Sequence, residues 1–187
     1  MAEKCTFKAP FRRRRLGKTN YKKRLALLKS GEHRLVVRRT NKYVTVQFIK
    51  YEAAGDRTVV HVNSRELENF GWKAGKKSLP AAYLAGLLAG VKAKKAGIEK
   101  AVLDIGFAIP HRKGWWGSAV KGALDAGLNV PAGKEAIPDE NRLKGKHIED
   151  FARVAGEKEF GNVGKKVDMK GITKAFEETK LKILGSK

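Results

Sequence analysis

The chain has few of the residues on which disulfide, zinc and membrane chemistry depend. Its 187 residues include one cysteine, Cys5, which excludes an internal disulfide and a cysteine-based zinc site and fits a reducing cytoplasm. The sequence contains no run of about 18 apolar residues. Its first residues also lack the apolar stretch of a signal peptide. These absences predict a soluble protein that stays inside the cell and has no membrane partner.

Acidic residues are scarce as well, most of all near the N terminus. The chain has 41 Lys and Arg against 19 Asp and Glu, which gives a net charge of +22. Residues 1–50 hold 16 basic and two acidic side chains and contribute +14 of that charge. Such a segment requires a polyanion, and nucleic acid is the one that we expect. Its densest part, residues 11–24, should be disordered when free and become ordered on nucleic acid.

The pattern of β-branched residues predicts strands in the first third of the chain. After a short helix at residues 21–29, three strands should cover residues 34–39, 43–50 and 58–62. Short polar turns separate these strands. They therefore predict an antiparallel meander.

Helices and one further strand should follow the meander. We expect an apolar helix at residues 79–96, a strand at 101–105 and a helix at 118–126. Gly86 and Gly90 would let the first of these helices lie close to a neighbour. The order predicts an α/β (α+β) fold, in which the meander extends into a mixed sheet with helices packed on one or both sides.

Composition divides the chain into three parts. These are a basic RNA-binding tail at residues 1–24, a mixed-sheet core at 25–130 and a helical C-terminal extension at 131–187. In the extension we expect a helix at 140–155, capped by Asp139, and an amphipathic helix at 172–184. The polar linker at 156–169 makes this part an appendage that orders fully in an assembly.

Enzyme signatures are weak in this sequence. Residues 71–78 resemble a phosphate-binding loop but have three residues between the glycines where four are needed. Lys76 and Lys77 in this segment are better explained as contacts to a phosphate backbone. The indole of Trp72 can either stack on a base or pack in the core.

Asp104 is the strongest candidate for a catalytic residue, because it lies near the end of a predicted strand. A carboxylate there can belong to a two-metal nuclease site, which requires two or three converging carboxylates. Its neighbours in sequence, Glu99 and Asp125, are not obviously directed at it. We therefore favour a structural Asp that bonds to the turn after it. No histidines stand at metal-ligand spacing, so we expect neither a metal nor another cofactor.

A cationic surface with aromatic and polar groups is the more informative pattern. Because side chains alternate along a strand, Arg34 and Arg38 should share one face. Tyr43, Thr45 and Gln47 on the next strand can extend that face. Guanidinium, phenol, hydroxyl and amide groups together suit the phosphates, riboses and unstacked bases of folded RNA.

Three segments also resemble a known family. Residues 34–47 (RLVVRRTNKYVTVQ), 77–88 (KSLPAAYLAGLL) and 121–131 (KGALDAGLNVP) are similar to the archaeal form of large-subunit ribosomal protein eighteen. The likeness runs through nearly the whole chain. The loop at residues 106–117 departs from it, so the roles of its two tryptophans stay open.

The resemblance implies a non-catalytic protein of the cytoplasmic ribosome. Such a protein binds 5S ribosomal RNA (rRNA) and helps to attach it to the large-subunit rRNA in the central protuberance, beside neighbouring ribosomal proteins. The residues that we predict to contact RNA, from the resemblance and the charge pattern together, are Arg12, Arg13, Arg14, Arg15, Lys18, Lys22, Lys23, Arg24, Arg34, Arg38, Arg39, Asn41, Lys42, Tyr43, Trp72, Lys76 and Lys77. Two alternatives remain: a metal-dependent nuclease of ribonuclease H-like topology and a general DNA-binding chromatin protein.

Overall fold

The computed structural model describes residues 8–154 and 171–185, so Cys5 and the predicted linker at 156–169 lie outside it. In chain order the described elements are α1 (Arg12–Arg15), α2 (Tyr21–Leu28), β1 (His33–Arg39), β2 (Val44–Lys50), β3 (Arg57–Asn63), a 3-10 helix (Ser64–Phe70), α3 (Leu79–Lys95), β4 (Ala101–Asp104), α4 (Trp115–Asp125), a second 3-10 helix (Lys134–Ala136), α5 (Glu140–Lys144), α6 (Lys146–Val154) and α7 (Ile172–Gly185).

The four strands form one sheet in the order β3-β2-β1-β4. β1 pairs with β2 and β2 with β3 in antiparallel fashion, which confirms the predicted meander. β4 then joins β1 in parallel, after a crossover that includes α3. The prediction of a mixed sheet with packed helices is therefore confirmed.

One face of the sheet forms the hydrophobic core. Leu35 and Val37 of β1 and Val46 and Phe48 of β2 are fully buried on this face. The helix α3 packs against β2 and β3, and α4 contacts both α3 and β1. The opposite face of the sheet is not covered by α3, and the N-terminal segment lies beside it.

Helices α3 and α4 lie unusually close together. A Cβ atom added to Gly86 of α3 would overlap the carbonyl oxygen of Ala119, and one added to Gly122 of α4 would overlap the carbonyl oxygen of Tyr83. Backbone therefore meets backbone at this crossing. The predicted close approach at Gly86 is confirmed, and a Cβ atom added to Gly90 would overlap the side-chain Cβ atom of Ala126.

The C-terminal helices pack onto the same core. Phe176 of α7 is buried, and its ring centroid lies 5.2 Å from that of Tyr83 in α3. Leu143 of α5 and Ile172 and Ile183 of α7 are buried in the same cluster. The predicted helix at residues 172–184 is confirmed. No helix in the described ranges is both long and apolar enough to cross a membrane.

Three details of the helix prediction are wrong. The helix expected at residues 140–155 is divided into α5 and α6 by Gly145, whose φ of 87° is left-handed. Asp139 stands at the N-cap of α5 but makes no capping hydrogen bond, because its carboxylate binds Lys113 at 3.1 Å. The helix α4 begins at Trp115, three residues before the predicted start at Ser118.

Candidate nucleic-acid interface

Polar side chains cover the face of the sheet that α3 leaves open. In the pairing of β1 with β2, Arg38 lies opposite Thr45 and Val36 opposite Gln47. The guanidinium, hydroxyl and amide groups therefore stand side by side, as the alternation along the strands predicts.

Five charged residues on this face form one connected chain, which we call the arginine network. Arg24 of α2 donates two hydrogen bonds to the carboxylate of Asp56, at 2.6 and 2.8 Å. Arg34 donates to Asp56 at 2.5 Å and to Asp104 at 3.1 Å. Arg38 donates to the carboxylate of Asp104 at 3.1 Å and to its carbonyl at 2.6 Å. Three cations thus alternate with two anions, and α2 is attached to the sheet.

Arg34 is the buried centre of this network. It is 4% exposed and both of its terminal nitrogens are bound to carboxylates, so it does not face solvent. The prediction that Arg34 contacts RNA is corrected on this ground: the residue holds Asp56 and Asp104 in place. The sequence predicted the strand face on which Arg34 lies, but it did not predict that Asp56 and Asp104 would pair with it.

The two carboxylates of the network are structural. The backbone N–H of Gly106 donates to Asp104 at 2.8 Å, so the preferred interpretation of Asp104, bonded to the turn after it, is confirmed. The hydrogen bond from Arg24 holds the pKa of the Asp56 carboxyl below its ordinary value, and the charge of Arg34 acts in the same direction. The Asp56 carboxyl is therefore ionised and paired near neutral pH.

A cavity of about 270 Å³ opens between the N-terminal segment and the arginine network. The cations at its wall are Arg13, Lys18, Lys23, Arg24, Arg34 and Arg38. The side chain of Arg38 is 43% exposed, although it is bound to Asp104. The network therefore fixes the guanidinium of Arg38 at the wall without using all of its donors, as a preorganised anion contact requires.

The four arginines of α1 stand on the outer surface. None of them is buried, and Arg13 donates to Thr19 at 2.7 Å. The sequence predicted disorder here when the segment is free, but the structure contains a helical turn. The ring of Phe11 lies 5.3 Å from that of Tyr21, which joins this turn to α2. Lys18, Lys22 and Lys23 continue the exposed cationic surface.

The β1–β2 hairpin brings a second group of predicted residues together. The N–H of Thr40 donates to the carbonyl of Tyr43 at 2.8 Å and closes the turn, which leaves Asn41 and Lys42 exposed. The Nζ atom of Lys76 lies 5.7 Å from the Tyr43 ring and also pairs with Glu68. The loop before α3 therefore contributes cations beside the hairpin, with Lys77 next to Lys76.

Trp72 corrects the prediction for this loop. Its side chain has no exposed surface, and its indole N–H donates to the carbonyl of Gly75 at 3.5 Å. A base cannot stack on a buried ring, so of the two interpretations of Trp72 the packing one holds.

Comparisons with known proteins identify the family to which this chain belongs. Residues 5–99 match the family model described as ribosomal large subunit proteins 60S L5 and 50S L18. The large ribosomal subunit protein uL18 of Korarchaeum cryptofilum (strain OPF8) is 50% identical over 184 residues, which cover 95% of this chain and 94% of that protein. The chain belongs to the uL18 family. It is thus an archaeal-type component of the large ribosomal subunit, in the cytoplasm.

Membership of the uL18 family bears on the two alternatives. A family of ribosomal structural proteins implies a non-catalytic role and partners among rRNA and ribosomal proteins. The carboxylate of Asp104, which a nuclease would use for metal, is bound by two guanidinium groups and a backbone amide. Neither the nuclease nor the chromatin protein accounts for the match over 95% of the chain.

Sequence reasoning missed Asp56 and the contact between Arg39 and Trp115. The Cζ atom of Arg39 lies 5.9 Å from the Trp115 ring centroid. A signal existed for Asp56, because a buried arginine on a strand needs carboxylates from adjacent elements. Between residues 33 and 64 the only acids are Glu52 and Asp56. No sequence signal joins Arg39 to Trp115, since 76 positions separate them.

Proposed function

We propose that the protein binds 5S rRNA and attaches it to the large-subunit rRNA in the central protuberance. The observation that carries the proposal is the cavity beside α1 and α2, where the arginine network holds Arg38 at a wall of cations. Phosphates of a folded RNA fit such a wall, since guanidinium groups bind phosphate oxygens in pairs.

Binding proceeds in two stages under this proposal. The exposed cations of α1 and Lys18 attract the phosphate backbone and release counterions, without regard to sequence. The rigid part, formed by Arg38, Gln47 and the hairpin with Tyr43, then selects RNA whose shape and unpaired bases fit it. Selectivity should therefore depend on the sheet, and the salt dependence on the N-terminal segment.

The first test compares 5S rRNA with tRNA and with duplex DNA at two salt concentrations. We expect a preference for 5S rRNA that persists at the higher salt. Including magnesium and examining the RNA afterwards tests the nuclease alternative in the same experiment, because cleavage that depends on both magnesium and Asp104 would contradict the proposal. Equal binding of all three, lost at high salt, would contradict it too.

A pair of variants tests which residues supply the selectivity. Arg38→Ala with Tyr43→Ala should lower the preference for 5S rRNA over tRNA by about tenfold, because a guanidinium contact and a ring are lost from the rigid part. Arg65→Ala with Tyr51→Ala is the matched control, since it removes the same two residue types from exposed positions on other elements. The assignment fails if both double variants keep the parent preference, or if both lose it equally.

A further inference from the structure

A second cationic recess lies at the end of β1, on the opposite side from the cavity that Arg38 lines. Six of its residues carry the argument: Arg39, Lys77, Arg112, Trp115, Arg142 and His147. We call it the Trp115 pocket. Successive side chains of a strand point to opposite faces, so Arg38 and Arg39 serve two separate surfaces. Its volume of about 450 Å³ falls in the range of ligand-binding pockets.

The charges of the Trp115 pocket are not balanced within the described part of the chain. No carboxylate in residues 8–154 or 171–185 makes an ion pair with Arg39, Lys77 or Arg142. Arg112 pairs with Glu135 at 3.5 Å, through side chains that are 84% and 77% exposed. The arginine network, by contrast, supplies two carboxylates for three guanidinium groups. Three cations of the pocket therefore lack a carboxylate partner among the described residues, although Lys113 at its wall pairs with Asp139.

Trp115 gives the pocket an aromatic surface. The indole is partly buried against the core, and the guanidinium of Arg39 lies over its ring at 5.9 Å. The planar guanidinium of Arg39 thus already lies against the indole of Trp115. An unpaired base can stack on that indole in the same manner. The pKa of His147 lies below its ordinary value because its ring is partly desolvated and Arg142 is near. The lowered pKa favours the neutral form of His147, which lines the pocket together with the cations.

We propose that the Trp115 pocket binds an unpaired segment of RNA. Phosphates contact Arg39, Lys77 and Arg142, and a base stacks on the indole of Trp115. Several separated cations around one aromatic ring fit consecutive nucleotides better than a single small anion. The inference extends the proposed function, because it adds a second RNA contact at the end of β1, away from the cavity that Arg38 lines. One molecule can then hold two RNA segments at once.

Tryptophan fluorescence of the full chain tests the stacking. The probe is a 12-nucleotide single-stranded RNA of mixed sequence, compared with the same strand annealed to its complement. Trp72 is 0% and Trp116 8% exposed, so Trp115 is the tryptophan that a bound base reaches. We expect the single strand to quench the emission, the duplex to quench it less, and Trp115→Phe to remove the effect. Equal quenching by the two probes, or none by the single strand, would overturn the proposal.

Charge variants test the phosphate contacts. Arg39→Gln with Arg142→Gln should weaken binding of the single strand about tenfold and lower the slope of log K against log salt by about 1.4, since each phosphate contact of a single strand contributes about 0.7. Arg57→Gln with Arg65→Gln removes the same charge from exposed positions outside the pocket. Equal losses in the two double variants would overturn the proposal. The preference for 5S rRNA is measured separately at Arg38, so either proposal can fail while the other stands.

Discussion

Arg34 shows how a single buried residue decides what its neighbours can do. A guanidinium group that is 4% exposed must be paired, since an unpaired buried charge is strongly destabilising. Asp56 and Asp104 supply that pairing, and each of them binds a second arginine nearer the surface. The buried charge therefore positions Arg24 and Arg38. The proposed RNA contact at Arg38 therefore depends on the buried side chain of Arg34.

The pairing of Asp56 should make the stability of the protein depend on pH. The hydrogen bond from Arg24 lowers its pKa in the folded state, so its stabilising effect is complete above the unfolded value of about 3.9 and is lost as pH falls through the folded value. Asp56→Asn should lower the free energy of unfolding by about 2 kcal/mol at pH 7, as expected for hydrogen bonds to charged groups. The difference between parent and variant should shrink below about pH 4.

Urea unfolding at pH 7 and thermal unfolding at pH 7 and 3.5 measure both effects of Asp56→Asn. Asp150→Asn is the control, because that carboxylate lies 4.0 Å from Arg153 with more than half of its side chain exposed. Surface changes of this kind alter stability by less than about 0.5 kcal/mol. A difference between parent and Asp56→Asn that stays constant with pH would contradict the argument.

For single residues, the sequence predicts the face on which a side chain lies better than it predicts the groups that the side chain binds. The strand period placed Arg38 beside Thr45 and Gln47, and the register confirms it. The same reasoning gave Arg34 to RNA, and the predicted RNA contacts also included Trp72 of the loop before α3, although both residues are buried. The residue types alone do not distinguish these cases, because burial of an arginine depends on carboxylates 22 and 70 positions away. The individual RNA contacts among the predicted residues stay predictions.

Helix packing, at the scale of elements, depends on the glycines where α3 crosses α4, which are Gly86, Gly90 and Gly122. In the interior of a helix, Ala is favoured over Gly by about 1 kcal/mol. Gly86→Ala should have the opposite effect and destabilise the protein by about 1–3 kcal/mol, because its Cβ meets the backbone of Ala119 in α4. Gly75→Ala is the control, since nothing lies within 4 Å of a Cβ at that position. Urea unfolding compares the two variants, and a stabilising Gly86→Ala would show that α3 and α4 can separate without cost.

Elements with strong periodicity were predictable, and short ones were not. Alternating β-branched residues define β1 to β3, and the apolar run after Ser78 defines α3. The 3-10 helix Ser64–Phe70 was missed, although its capping box was visible as Asn63 and Glu66. Gly145 divides α5 from α6 for a reason in tertiary structure, because the turn there meets Pro80 and Ile172.

Charge and core are separated across the whole molecule. The helices α3 and α4 cover one face of the sheet and α7 packs on α3, while the N-terminal segment and its cations lie on the other face. Residues 1–50 contribute +14 of the net charge of +22, and the cations Arg13, Lys18, Lys23 and Arg24 among them stand beside the open face. The last helix, α7, adds core to the fold, as the buried side chains of Phe176 and Ile183 show.

This separation predicts that salt dependence and stability respond to different changes. Deleting residues 1–18 removes seven Lys and Arg but keeps α2 and Arg24. If the four arginines of α1 each contact one phosphate, the slope of log K against log salt for 5S rRNA should fall by about 3, at about 0.7–0.9 per contact. The melting temperature should stay within about 2 °C of the parent, since α1 buries no residue.

Arg24→Gln in the full chain should lower the melting temperature and leave the salt slope nearly unchanged, the reverse of the deletion. It removes two hydrogen bonds to Asp56, at 2.6 and 2.8 Å, and so weakens the attachment of α2 to the sheet. A loss of about 1–2 kcal/mol corresponds to a fall in melting temperature of about 4 °C for a chain of this size. The salt slope should change by less than about 1, because one charge is removed and Arg24 is already paired.

Thermal melts and binding titrations at several salt concentrations separate the two variants. If Arg24→Gln flattened the salt slope as much as the deletion does, Arg24 would belong to the phosphate-binding surface, and its bond to Asp56 would not persist on RNA.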